Sequence, residues 1–209
     1  LNVYETDEEK VEALKNWWKE NGTSVIAGVA IGLGAIFGWR AWVDYQDGVG
    51  QQASAAFEQL LASAETGNPE AAREGFDLLA NEYDSTPYAA LGALVRAQVE
   101  MEAGDAAAAR SSLEYAIDKA PDPAIGQVAA LRLTRLLISE GDLDAASALI
   151  EKHDRGDSFG GDYDALRGDI AAARERTDEA REAYRRAISA GAADAELLQL
   201  KLDNLPPAG

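Results

Sequence analysis

The chain has 209 residues, no cysteine and a formal net charge of −18, which excludes disulfides, thiol nucleophiles and thiolate metal sites. A surface this negative repels phosphate backbones, so nucleic acid is not an expected partner. Hydrophobic residues make up 47% but aromatics only 7%, and this alanine-rich balance favours helices, because alanine loses no side-chain entropy there.

The first segment, "ETDEEKVEALKNWWKENG", reads as a short amphipathic helix. Thr6 with Glu9 three residues on has the capping-box pattern, and Gly22 stands where a helix would stop. Val11, Leu14 and Trp18 share a face that can rest on a membrane, with Lys10, Lys15 and Lys19 beside it.

From Asn21 to Trp39 no residue is charged. As a helix this run is roughly 28 Å long, close to the hydrocarbon thickness of a bilayer. Trp17 and Trp18 lie at one end, and Trp39, Arg40, Trp42 and Tyr45 at the other. Such belts of rings settle at the headgroup level, and an arginine there can snorkel outward. Other readings fit less well. Gly32, Gly34 and Gly38 miss the dinucleotide-binding spacing, and the stretch preceding the run is too acidic for a signal peptide. Gly28 with Gly32, and Gly34 with Gly38, form small-xxx-small pairs that let a second helix approach; glycine is also simply common in membrane helices. The lysines precede the run and, after Arg40, the next basic residue is Arg73. The positive-inside rule therefore predicts residues 1–22 in the cytoplasm, 23–43 across the membrane and 44–209 outside, which in a bacterium is the periplasm beyond the inner membrane.

Beyond the span the sequence repeats. Gly67, Gly104 and Gly141 are spaced 37 residues apart, each followed by a small residue (Ala72, Ala109, Ala146) and then a bulky one (Phe76, Leu113, Ile150). A fourth copy, shifted by 34, has Glu175 in the glycine position, Ala180 and Tyr184 after it, and Gly168 as the small residue of its first helix. Glycine followed by Asn68, Asp105 or Asp142 ends one helix and caps the next. The pattern predicts an all-α chain in which a single transmembrane helix precedes an α-solenoid of divergent helix pairs similar to tetratricopeptide repeats. Pro121 falls at the customary breaker position of such repeats. In the closing segment "DAELLQLKLDNL", Leu197, Leu198 and Leu202 are expected to cover the end of the stack.

An acidic, lysine-bearing start, "ENG", a glycine-rich run ending "GWRAW", degenerate repeats and "LLQLKLDNL" in that order resemble the YfgM family of ancillary SecYEG translocon subunits. The resemblance implies a chaperone-like adaptor beside the translocon. It further implies a PpiD-type periplasmic chaperone and exported client polypeptides as partners, with membrane lipid around the anchor. A signalling or envelope-assembly scaffold that binds another periplasmic protein is the alternative.

No catalytic, cofactor or metal constellation stands out. His153 is the sole histidine and falls at a helix end. Asp157, Asp162 and Asp164 lack the EF-hand order. Arg-Gly-Asp occurs at 155–157 and at 167–169, where Gly168 already has a packing reason. A repeat scaffold instead offers a groove between first helices. The residues expected on its exposed side are Arg96, Glu100, Arg132 and Arg135. Arg132 and Arg135 either hold a partner's carboxylate or pair with neighbouring acids.

Overall fold

In the computed structural model, which describes residues 7–156 and 158–206, every regular element is an α-helix. In chain order these are α1 (Asp7–Glu65), α2 (Pro69–Glu82), α3 (Pro87–Glu102), α4 (Ala106–Lys119), α5 (Pro123–Glu140), α6 (Leu143–His153), α7 (Gly160–Ala173), α8 (Thr177–Ser189) and α9 (Ala195–Asp203). The chain divides into two units, Leu1–Gln51 and Gln52–Gly209.

The first unit consists of the leading part of α1. The expected stop at Gly22 does not occur; the helix runs through it. A glycine ends a helix by taking a left-handed conformation, and Gly22 is not among the residues with positive φ. Instead the Trp18 ring lies against it, so that a Cβ at Gly22 would sit 3.2 Å from the indole. Asn21 donates its side-chain amide to the Trp17 carbonyl at 3.1 Å. Thr6, the expected cap, lies outside the described residues. Continuing the helix keeps each backbone polar group paired along the apolar run, which a bilayer demands. Among the described residues, α1 alone is long and apolar enough to cross a membrane. Its apolar side chains are uncovered: Ile31 is 73% exposed and Phe37 64%. A core helix would bury them, so the exposure fits a membrane anchor.

In the second unit the end of α1 supplies the first helix of the first repeat, burying Ala53, Ala56 and Leu60. The pairs that follow are α3 with α4, α5 with α6 and α7 with α8, while α2 completes the first pair and α9 closes the array. Gly67, Gly104 and Gly141 take φ values of 67°, 79° and 81°. The residue after each donates its N–H five residues back, as in Asp105 to Glu100 at 2.8 Å and Asp142 to Leu137 at 2.9 Å. These are Schellman endings. The same residues then cap the next helix: Asn68, Asp105 and Asp142 accept from the amides of Ala71, Ala108 and Ala145. One Gly–Asx dipeptide thus ends one helix and begins the next.

The small and large positions pack as their spacing predicts. Ala72, Ala109, Ala146 and Ala180 are fully buried, and Phe76, Leu113, Ile150 and Tyr184 fill the space beside them. Gly168 lies under the Tyr184 ring, where a Cβ would stand 2.4 Å from it. The closing helix differs from expectation. Leu198 is buried with Leu202 and Leu205 partly buried beside it, but Leu197 is 49% exposed. Adjacent helical residues point about 100° apart, so Leu197 and Leu198 cannot both face the stack.

Candidate functional site

Along α5, Arg132, Arg135, Leu136 and Ser139 recur at helical spacing and share one face. Across from them α3 presents Ala97, Gln98 and Met101, and Leu113 of α4 forms part of the floor. Together they line a groove of about 440 Å³. Ala97, Leu113 and Leu136 are buried in its walls, while Met101 is 45% exposed. Methionine is flexible and polarizable and adapts to varied apolar partners. The groove is therefore apolar within and cationic at its edge.

The two arginines are not neutralised by neighbours. Arg132 donates to the Leu94 carbonyl at 3.4 Å, and among the described residues neither guanidinium forms an ion pair. Both are exposed. Of the two alternatives open from the sequence, pairing with nearby acids is not what the structure adopts. Two free cations in a chain of net charge −18 form a local positive spot.

Arg96 and Glu100 belong elsewhere, and for Glu100 the expected exposure is overturned. Its side chain is fully buried, accepting from Arg96 Nε at 2.6 Å and Ser112 Oγ at 2.7 Å. Arg96 reaches on to Asp77 at 3.3 Å and stacks over Phe76, 4.9 Å from the ring centre. The physical reason is rotational. Arg96 and Glu100, four apart, form a stripe turned toward α2 and α4, whereas Ala97 and Met101 form the neighbouring stripe that lines the groove. This pair ties α2, α3 and α4 together and does not line the groove.

A second concavity, of about 340 Å³ between α6, α7 and α8, is richer in charge, with Arg167, Arg174, Arg176 and Arg186. These four are all engaged. Arg167 pairs with Asp154 and Asp164, Arg174 with Asp144, Arg176 with Glu179 and Arg186 with Asp164. Asp164 is thus taken by arginines, and Asp162 accepts the Ala193 amide at 3.3 Å; Asp157 lies outside the described residues. In the triplet at 167–169, Asp169 accepts from Tyr184 at 2.7 Å and from Lys201 at 2.6 Å. His153 ends α6 with Nε2 buried and without a hydrogen-bond partner among the described residues, and burial pushes its pKa down.

In α1, Gly28, Gly32, Gly34 and Gly38 have open space where a Cβ would be. Trp17, Trp18, Trp39 and Trp42 are exposed, Trp39 and Trp42 with ring centres 5.2 Å apart, and Arg40 is exposed beside them. The sequence reading overlooked Ala97, Gln98, Met101, Leu113, Leu136 and Ser139. The recurrence around Arg132 at three, four and seven residues was the signal that could have found the α5 side.

The profile of the tetratricopeptide repeat-like domain family matches residues 15–207. An ancillary SecYEG translocon subunit of Haemophilus influenzae is 30% identical over 200 residues, which is 95% of this chain and 97% of that protein. One from Aggregatibacter actinomycetemcomitans is 32% identical over the same shares, and one from Escherichia coli is 29% identical over 98% of this chain and 99% of its own length. With the glycine–Asx turns, the buried small positions and the apolar leading helix all present, the chain belongs to the tetratricopeptide repeat-like family of ancillary SecYEG translocon subunits.

Proposed function

We propose that this chain is a non-catalytic, single-pass adaptor of the bacterial inner membrane that works beside the SecYEG translocon. Residues 1–22 lie in the cytoplasm, 23–43 cross the bilayer and 44–209 stand in the periplasm. There the α3/α5 groove takes up apolar segments of exported polypeptides that carry acidic neighbours, and a PpiD-type chaperone receives them. Lipid surrounds the anchor, with Trp17, Trp18, Trp39, Arg40 and Trp42 at the interfaces. Gly28, Gly32, Gly34 and Gly38 form its docking face for another membrane helix. Anchoring beside an exit site raises effective concentration, so a groove of modest affinity suffices.

The observation that carries this reading is the groove itself: an apolar cleft of about 440 Å³ edged by Arg132 and Arg135, which have no acidic partner among the described residues. Tetratricopeptide-type arrays bind extended or helical segments in such clefts without chemistry. The test is a photo-crosslinking residue at Gln98 in the full chain in native membranes, with the captured proteins identified by mass spectrometry. Exported polypeptides are expected, together with translocon subunits, and their yield should fall when Arg132→Glu and Arg135→Glu are combined. Capture that ignores the charge reversal, or capture of one folded periplasmic protein alone, would overturn it.

A further inference from the structure

The array ends on an apolar face. While α9 turns Leu198 inward, Leu197 and Leu200 stand 49% and 57% exposed. Glu196 and Asp203 are exposed on the same side, three to four residues from Leu200 and therefore one turn away. Closing helices of solenoids usually turn a polar face to solvent; here two leucines are rimmed by two carboxylates. The helix is held firmly in that orientation. Lys201 Nζ donates to Asp169 at 2.6 Å, and Arg181 donates to the Pro206 carbonyl at 2.6 Å.

The groove between α3 and α5 has the opposite character, with apolar walls at Ala97, Met101, Leu113 and Leu136 and, at Arg132 and Arg135, cations without an ion pair among the described residues. We infer that the α9 face of one copy docks into the α3/α5 groove of a second copy. Leu197 and Leu200 lie over the apolar walls, and Glu196 and Asp203 face Arg132 and Arg135. The inference rests on the groove being a binding surface, as proposed above, and adds its resident occupant.

Charge decides the pairing. At a net −18 most surfaces of two copies repel, and the arginine-edged groove is where a copy's acidic, leucine-bearing face meets attraction. The two faces differ, so the contact is heterologous: each copy offers one groove and one α9, and assembly runs on or closes into a ring. Confinement to one membrane favours so small a contact. A client segment of like chemistry competes with the neighbour's α9, so the groove is covered until a client displaces it.

Because the chain has no cysteine, disulfide trapping is clean. Met101→Cys and Leu200→Cys are placed in the full chain and oxidised in native membranes. The double variant is expected to give a ladder of linked multimers. Co-expressed single variants should stop at the dimer, and either alone should stay monomeric. Arg132→Glu with Arg135→Glu should cut the linked fraction about tenfold or more, and adding Glu196→Arg with Asp203→Arg should restore it, which also shows that the reversed protein folds. A ladder indifferent to charge reversal overturns the pairing. No ladder, with arginine-dependent capture of exported polypeptides at Gln98 intact, overturns self-docking and leaves the groove reading standing. Loss of both overturns both.

Discussion

Glu175 occupies the position that Gly67, Gly104 and Gly141 hold in the other repeats, and it is the described non-glycine residue with positive φ, at 60°. The turn keeps its form, since Arg176 still donates to Ala171 at 2.8 Å, but a Cβ in the left-handed region costs about 1–2 kcal/mol. Glu175→Gly should therefore stabilise the repeats by about 1 kcal/mol, read as a higher urea midpoint. Gly168 is the opposite case. Its missing Cβ makes room for the Tyr184 ring, so Gly168→Ala should destabilise by about 1–3 kcal/mol, and pairing it with Tyr184→Leu should recover part of the loss. His153 links stability to pH. Burial, aided by Lys152 and Arg155 and opposed by Asp118, holds its pKa below the ordinary 6.5. The unfolded chain then binds the proton first, so its contribution is complete above pH 6.5 and declines as the pH falls below it. His153→Gln should flatten the acid side of a melting-temperature profile.

Among the elements, the second helices are begun by short side chains. Asn68, Asp105 and Asp142 cap α2, α4 and α6 with hydrogen bonds of 3.1, 3.0 and 3.3 Å. At the start of α8 stands Arg176, which makes no such bond and sets a cation at the positive end of the helix dipole. Arg176→Asp should add about 1 kcal/mol and Asp105→Ala should remove about as much, measured as opposite shifts of the thermal midpoint. With Glu175, the fourth turn has lost both residues of its Gly–Asx pair yet still closes. The packing of Tyr184, Ala180 and Ala187 against their neighbours holds α8 where its local signals are weakest.

At the scale of the molecule, the exposed run within α1 needs lipid or protein around it. A Cβ added at Gly32 or Gly38 meets nothing within 4 Å among the described residues. Gly32→Leu with Gly38→Leu should therefore leave repeat-domain unfolding unchanged while blocking close approach of any helix that uses this face. Co-purification of translocon subunits from membranes is expected to drop in the double variant. Persistence of those subunits would move the docking to the repeats.

The anchor, the turns and the small–large pairs were legible from the chain because each is a local property. An uncharged run bracketed by tryptophans, a glycine able to take positive φ followed by an Asx cap, and an alanine one turn before a bulky residue carry their physics within a few positions. Gly22 shows the limit, since a glycine next to an acceptable stop still continues the helix when the apolar run beyond it demands pairing. What the chain left undecided was rotation about helix axes. Glu100 turned inward to Arg96 and Ser112, Leu197 turned outward, and Arg132 and Arg135 stayed free beside a cleft built from three helices. Each outcome depends on which side of a helix its neighbours cover. The crossings of α2 to α5 and of α7 to α9 set that coverage, and these bring together residues distant in sequence.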